Sequence, residues 1–211
     1  MNFDLSDEQK MLAEQARGLL AERSPYDHLR KLIDSGAEWD EPLWRELGEM
    51  GFLGANIPEE FGGLGMSEID LGVISEELGR VNAATPFFSS IVLAADAIRL
   101  AGSDAQKAEW LPRLAAGEIA SFGLTEPGSG SDSAAMQTTA VKSGNGRVLN
   151  GTKRYITNAP FANVALIMAR TSKEALPKNA HVSAFIVPMD TAGITVGKSD
   201  KKMGQAGSHI A

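Results

Sequence analysis

The sequence contains no cysteine, so disulfide bonds, thiolate nucleophiles and thiolate-bound metals are excluded. That absence leaves the cellular compartment undecided. Long apolar runs are also missing: the most apolar stretch, Ile91–Ala97, is far shorter than the ~20 residues needed to cross a bilayer. Residues 1–10 are acidic and polar, whereas an export signal begins with basic residues followed by an apolar run. We therefore expect a cytoplasmic protein with no membrane span.

Sequence patterns for metal binding or acid–base chemistry are lacking too. The histidines His28, His181 and His209 stand alone, without the short spacing of a metal-binding motif, so we expect no metal. The adjacent pairs Glu59-Glu60 and Glu76-Glu77 do not share one face of a helix or loop, and we interpret them as solvated charges.

Nucleic-acid binding is not expected either, because the net charge is −7 and no basic stripe is interleaved with aromatic residues. The charge is unevenly divided. Residues 1–120 hold 22 acidic and 10 basic side chains, whereas residues 121–211 hold 5 acidic and 10 basic ones. This asymmetry indicates two different regions. The positive excess of the second region favours a phosphate-bearing small molecule, or is simply a solvated surface.

The residues that are present are those of an ordinary globular protein. The 211 residues are 43% apolar and 22% charged, which suffices for a sizeable core. Over residues 1–120 the apolar positions recur at helical spacing, between helix-capping serines and terminal glycines. We predict five helices in this region: one capped by Ser6 and Gln9, one over Trp44–Met50, one from Ser67 to Gly79, one from Pro86 to Gly102, and one capped by Ser103 and Gln106 that ends at Gly117.

After Ser121 the pattern alternates and β-branched residues become frequent, which is typical of strands. Asn-Gly dipeptides at 145–146 and 150–151 are favoured in hairpin turns and predict a three-stranded meander. The predicted strands of the meander are Thr138–Lys142, Arg147–Leu149 and Lys153–Thr157. Further strands are predicted over Val164–Arg170, Val182–Val187 and Ile194–Val196.

The predicted fold class is therefore α+β. An all-helical domain over residues 1–120 is followed by a β-sheet or barrel-like domain over residues 121–211. The sheet looks incomplete at Ala211, and we expect the natural chain to continue.

The loop after the apolar stretch at Phe122 is rich in glycine and hydroxyl residues. Such a loop can present backbone N–H groups and hydroxyls to one bound molecule, although flexible connectors have the same composition. The Thr-Glu-Pro-Gly turn at 125–128 favours a binding loop, and Asp132 is placed to cap the loop backbone. We interpret Glu126 as a residue that fixes the loop rather than one that removes a proton.

Three motifs in this order resemble the acyl-CoA dehydrogenase family. They are Gly123-Leu124-Thr125-Glu126 with Gly128, Gly130-Ser131-Asp132 and Ala135; Leu149–Ala159; and Ile57–Gly65. The resemblance implies a helical domain, a middle β-domain and a C-terminal helical bundle. The chain would then end before that four-helix bundle, and the family's catalytic glutamate would lie beyond residue 211.

The resemblance also implies FAD as the cofactor, held between two segments. The implied flavin contacts are Phe122, Leu124, Thr125, Gly130, Ser131, Tyr155 and Thr157. Ser131 would also contact the acyl-CoA, and Thr157 would lie near the nitrogen that accepts the hydride. Tyr155 stands where many members have Trp, so an aromatic wall is kept. Without the family, Thr157 reads as an ordinary β-branched strand residue.

The function implied by the family is α,β-dehydrogenation of an acyl-CoA thioester to a trans-2-enoyl-CoA, a step of fatty acid metabolism. A carboxylate base, an electron-transferring flavoprotein as electron acceptor, and a homotetramer or mixed oligomer are implied with it. Three alternatives stay open at this stage. They are an acyl-CoA oxidase-like flavoenzyme, a non-catalytic subunit of a mixed oligomer, and a simple binding module.

Overall fold

The computed structural model describes residues 4–172 and 181–211. The first part of the chain is helical, and a mixed sheet follows it, as predicted. The helices are α1 Asp7–Arg23, α2 Tyr26–Ser35, α3 Glu41–Glu49, α4 Glu68–Arg80, a π-helical segment Phe88–Ala95 continuous with α5 Asp96–Ala101, and α6 Asp104–Ala115. Among the described residues, no helix is both long and apolar enough to span a membrane.

Three helix starts follow directly from local sequence. In each, a serine hydroxyl accepts a hydrogen bond from the backbone three residues later, and that later side chain accepts one from the serine N–H. These reciprocal caps are Ser6 with Gln9, Ser67 with Asp70, and Ser103 with Gln106. The predicted caps of the first and last helices are thus confirmed.

Two parts of the helical prediction need correction. Helix α2 was not predicted, although Leu29, Leu32 and Ile33 have helical spacing and Gly36 ends the helix with φ +75°. The predicted helix from Pro86 to Gly102 is not uniformly α-helical, because Phe88–Ala95 forms a π-helix before α5 begins. The wider π turn still buries the same apolar stretch, so hydrophobic spacing alone did not reveal it.

The core has two parts, and the second joins the helices to the sheet. The first part lies among α1, α3 and α4 and includes Leu20, Leu47 and Ile74. The second packs Leu111 and Leu114 of α6 against the sheet. Because both regions share this second core, the start of the sheet is held directly against the π-helical segment.

Within the described residues, the sheet has five strands of mixed direction. They are β1 Ala120–Gly123, β2 Thr139–Ser143, β3 Gly146–Asn150, β4 Val164–Arg170 and β5 Val182–Pro188. Strand β4 is central: it pairs in parallel with β1, antiparallel with β5 and, at Arg170, in parallel with β2. Strands β2 and β3 form an antiparallel hairpin.

The hairpin is confirmed, but its turn is displaced by one residue. Ser143 pairs with Gly146, so the turn residues are Gly144 and Asn145, with Gly144 at φ +57°. Glycine supplies that left-handed conformation more easily than asparagine does.

The predicted third strand of the meander, Lys153–Thr157, was wrong. Tyr155 at φ +60° and Asn158 at φ +63° turn the backbone out of the extended conformation, and only an isolated bridge joins Thr157 to Ile210. The predicted strand Ile194–Val196 does not form either, and those residues lie in an exposed stretch.

Candidate functional site

A cleft of about 310 Å³ opens where β1 ends. It is lined by Ser89, Leu93, Phe122, Leu124, Thr125, Tyr155, Ile156 and Thr157. Five of the seven predicted cofactor contacts therefore line one cleft. The other two, Gly130 and Ser131, lie on the exposed tip of the adjacent loop. Larger surface clefts of about 580 Å³ exist, but ion-paired side chains such as Arg23 and Glu46 line one of them.

The cleft has a neutral lining with hydroxyl groups on two walls. Thr125 follows β1 on one wall, and Thr157 lies on the other. Neither threonine hydroxyl has a hydrogen-bond partner among the described residues. Hydroxyls without a protein partner in an otherwise apolar cleft are placed to bind the polar edge of a ligand.

The second wall is held by backbone hydrogen bonds to Ala211. Ile156 is buried, and its N–H donates to the Ala211 carbonyl at 2.7 Å, while the Ala211 N–H donates back at 3.2 Å. Tyr155 has the left-handed conformation and is 61% exposed, with the Arg154 guanidinium carbon 4.8 Å from the centroid of its ring. An exposed aromatic face is thereby presented at the mouth of the cleft.

Buried polar residues at the base of the cleft were missed by sequence reasoning. The Asn158 amide donates to the Ser89 hydroxyl at 2.8 Å, and that hydroxyl donates to the Ala120 carbonyl at 2.8 Å. The Ala120 N–H donates to the Ser90 hydroxyl at 2.9 Å. This network joins the π-helical segment, β1 and the second wall. The sequence signal for this network was the pair of adjacent serines, Ser89 and Ser90, in an otherwise apolar helix.

Glu126 fixes the loop, in agreement with its interpretation from sequence. Its carboxylate accepts hydrogen bonds from the N–H groups of Gln137 and Thr138 and from the Lys153 ammonium, which lies 2.8 Å away. Burial alone would raise the pKa of this carboxyl, but these donors outweigh that effect and lower the pKa to about 2. Lys153 also donates to the Leu124 carbonyl at 3.0 Å, so the pair ties both walls together.

Asp132 does not cap the loop through its side chain as predicted. Its backbone carbonyl instead accepts from the Ser129 hydroxyl at 2.6 Å and from the Ala135 N–H at 3.1 Å. Glu126 and Ser129 exchange backbone hydrogen bonds and close the turn. The loop is thus shaped by backbone contacts, which sequence does not display.

The interpretation of Glu77 as a solvated charge was also wrong. Glu77 is buried, and its carboxylate accepts from Arg17 at 2.7 Å and from Arg80 at 3.0 Å. The bond from Arg17 is the main reason that its pKa falls to about 2.

Among the histidines, the Nε2 atom of His28 lies 2.6 Å from the Oδ2 atom of Asp40. Within residues 4–172 and 181–211, no three His, Asp or Glu side chains cluster as a metal site.

Comparison with known proteins agrees with the fold and with the order of the motifs. Residues 6–118 match the family model of the acyl-CoA dehydrogenase N-terminal domain, and residues 121–211 match that of the middle domain. A probable acyl-CoA dehydrogenase of Bacillus subtilis, YngJ, is 37% identical over 214 residues, which cover 100% of this chain and 56% of the relative. A second relative is covered to 34% of its length, so the chain spans about half or less of these proteins.

Two solved structures show the same architecture. The structure of acyl-CoA dehydrogenase complexed with FAD from Bacillus anthracis has a TM-score of 0.85 at 36% identity, covering 98% of this chain and 35% of that one. The glutaryl-coenzyme A dehydrogenase glutaryl-CoA complex has a TM-score of 0.91 at 32% identity, covering 100% of this chain and 54% of that one. With both domain models matched in order along its length, the chain belongs to the acyl-CoA dehydrogenase family.

Proposed function

We propose that the whole protein is an FAD-dependent acyl-CoA dehydrogenase, which converts an acyl-CoA thioester to a trans-2-enoyl-CoA. The observation that carries this proposal is the neutral cleft lined by Thr125 and Thr157, whose hydroxyls have no hydrogen-bond partner among the described residues. Family membership supplies the reaction class.

The lining of the cleft is chemically suited to a flavin ring. Such a ring has flat apolar faces and a polar edge. Among the described residues, the cleft lining offers apolar side chains, hydroxyl groups that include those of Thr125 and Thr157, and no charged side chain. Phe122 and Leu124 would contact the faces, Tyr155 would cover one side, and Thr125 with Thr157 would bind the edge. When bound, FAD supplies the acceptor for the hydride that leaves the β-carbon of the substrate.

The rest of FAD needs more room than this cleft provides. We propose that Gly130 and Ser131, on the exposed loop next to the cleft, contact the pyrophosphate, and that Ser131 also contacts the acyl-CoA. Glycine allows close backbone approach to phosphate, and the positive excess of residues 121–211 favours it electrostatically.

The residues of the cleft bind and orient, but none is assigned as the base. None of the described residues that line the cleft carries a carboxylate, and three hydrogen-bond donors hold Glu126 as a carboxylate with a pKa of about 2. A general base is effective when its pKa lies closer to the working pH. The location of the base beyond residue 211 therefore stays a prediction.

We further propose a division into domains at residues 120 and 121, an electron-transferring flavoprotein as electron acceptor, and a homotetramer or mixed oligomer. The change from helix α6, which ends at Ala115, to strand β1, which begins at Ala120, supports a division near that point. The cytoplasmic location stays a prediction.

Anaerobic titration of the full-length protein with acyl-CoAs of different chain length and branching tests the function. We expect bleaching of the flavin absorption by at least one thioester, followed by faster reoxidation with the carrier flavoprotein than with oxygen. A protein purified without flavin that binds none on reconstitution would contradict the proposal. Faster reoxidation by oxygen would favour an oxidase.

A matched pair of variants tests the assignment of the loop. Ser131→Trp places a bulky ring on the proposed pyrophosphate and substrate path, so we expect weaker FAD binding and a higher KM. Ser143 is exposed at the end of β2 and does not line the cleft, and Ser143→Trp is the control for bulk alone. Equal behaviour of the two variants would remove Ser131 from the site.

A further inference from the structure

A buried ion pair lies behind the cleft rather than in it. The Lys153 and Glu126 side chains are only 9% and 5% exposed, and neither lines the cleft. Glu126 directly follows Thr125 on the first wall. Lys153 precedes Tyr155 by two residues on the second wall. The pair therefore connects the segments that form the two walls, next to the residues that line the cleft.

The hydrogen bonds of the pair reach three separate segments. Glu126 accepts from Gln137 and Thr138, which closes the loop on itself. Lys153 donates to the Leu124 carbonyl on the first wall at 3.0 Å. Beside it, the Arg154 N–H donates to the Thr125 carbonyl at 2.9 Å, so the walls are also joined by backbone.

One glycine allows two of these segments to approach closely. A Cβ on Gly151 would lie 2.3 Å from the Thr138 hydroxyl and 2.6 Å from the Thr138 Cα. Since a clash with backbone cannot be relieved by side-chain rotation, Gly151 is required where the second wall meets the end of the loop.

A buried ion pair is by itself weak support for stability, because desolvation of two charges offsets their attraction. Its value here is geometric: a single ammonium group satisfies a carboxylate on the loop and a carbonyl on the first wall. We propose that Lys153, acting through Glu126, is a positioning residue that sets the separation of the two walls of the cleft. The importance of this separation for the flavin rests on the proposed function.

Hydrogen exchange in the flavin-free protein tests the positioning role without any activity. In Lys153→Met we expect exchange of the Gln137 and Thr138 amides to rise at least about tenfold, together with exchange across residues 155–158. Amides of α1 and α4 should keep their protection. Glu77→Gln is the control, since Glu77 is equally buried but contacts only helices; it should raise exchange in α1 and α4 alone.

The double variant Glu126→Gln/Lys153→Met covers the case in which the single variant does not fold, because it leaves no unpaired buried charge. If the pair acts as a unit, the double variant raises exchange at the same amides as Lys153→Met, without a further increase from the loss of the Glu126 carboxylate. Evenly raised exchange along the whole chain, or unchanged exchange in one wall, would overturn the proposal.

Flavin measurements then extend the test to the site. We expect Lys153→Met to slow flavin reduction by about 10- to 100-fold, since a misplacement near 1 Å can cost up to about 100-fold, and to shift the flavin absorption band. A wild-type protein that binds no flavin would contradict the proposed function while the exchange experiment still decides on Lys153. A flavin-loaded Lys153→Met with wild-type spectrum and reduction rate would overturn the positioning role alone.

Discussion

The helical region and the sheet region each contain a buried glutamate, and the two are held differently. Glu77 and Glu126 have nearly equal exposure, and the pKa of each is lowered to about 2. The donors to Glu77 are the side chains of Arg17 and Arg80. Two of the three donors to Glu126 are backbone N–H groups.

The difference follows from how each region satisfies its backbone. Helices bond their own N–H groups internally, so a carboxylate buried between helices finds only side-chain donors. A loop leaves N–H groups free, and a carboxylate there can fix the path of the chain. Glu77 therefore joins two helices that are already formed, α1 and α4, whereas Glu126 fixes the backbone path of the loop that contains it.

The largest expected effect is on stability when each carboxylate is removed. Glu126→Ala leaves the Lys153 charge buried and two loop N–H groups without an acceptor, which we expect to cost about 3–5 kcal/mol. Glu77→Ala should cost less, about 1–2 kcal/mol, because Arg17 and Arg80 are 54% and 51% exposed and can turn to water. Chemical denaturation measures both values. Equal losses of stability in the two variants would contradict the proposed difference between Glu77 and Glu126.

Two left-handed asparagines give a second comparison. Asn82 in the helical region and Asn158 in the sheet region have φ values of +51° and +63°. Asn82 is exposed, and its side chain has no partner among the described residues, so Asn82→Ala should cost about 1 kcal/mol of backbone strain. Asn158→Ala should cost about 1–3 kcal/mol more, because the buried Ser89 loses its donor. Thermal unfolding measures the loss of stability in each variant, and the difference between the two losses gives the contribution of the hydrogen bond from Asn158 to Ser89.

The pH dependence of unfolding tests the charge state of both glutamates. Their folded pKa of about 2 lies below the ordinary 4.5, so between these values the unfolded chain binds protons that the folded one does not. Stability should therefore rise with pH across this window, by about 1 kcal/mol per pH unit or less for each group, and be lost as pH falls towards 2. Glu77→Gln and Glu126→Gln should each flatten the curve. A slope unchanged by either substitution would contradict the assignment for that glutamate.

The parts of the fold that depend on neighbouring residues could be predicted, and the parts that depend on distant ones could not. Ser6 and Ser103 cap helices through residues three positions away, so their role is visible in sequence. Glu77 was misread because its main partner, Arg17, is 60 residues away.

The candidate site shows the same limit. Its threonines were identified from a family motif, but the base of the cleft was not, since the Ser89 hydroxyl bonds to a carbonyl 31 residues further along. The predicted strand at Lys153–Thr157 failed because the left-handed turn at Tyr155 lies between long-range contacts, from Arg154 to Thr125 and from Ile156 to Ala211.

The smallest expected effect concerns the Thr157 hydroxyl, which makes no hydrogen bond within the described chain. Thr157→Val removes a group that has no partner in the described chain while keeping the branched shape, so we expect stability to change by less than about 0.5 kcal/mol. Flavin reduction should slow by about two- to tenfold, since one neutral hydrogen bond contributes about 0.5–1.5 kcal/mol, and FAD affinity should change less than the reduction rate. Thr139→Val in β2 is the control, because that hydroxyl bonds to the Asn150 carbonyl and lies outside the cleft. Stopped-flow reduction and thermal unfolding of both variants separate the two roles. A loss of stability in Thr157→Val with an unchanged reduction rate would assign this hydroxyl to the fold and remove it from the flavin site.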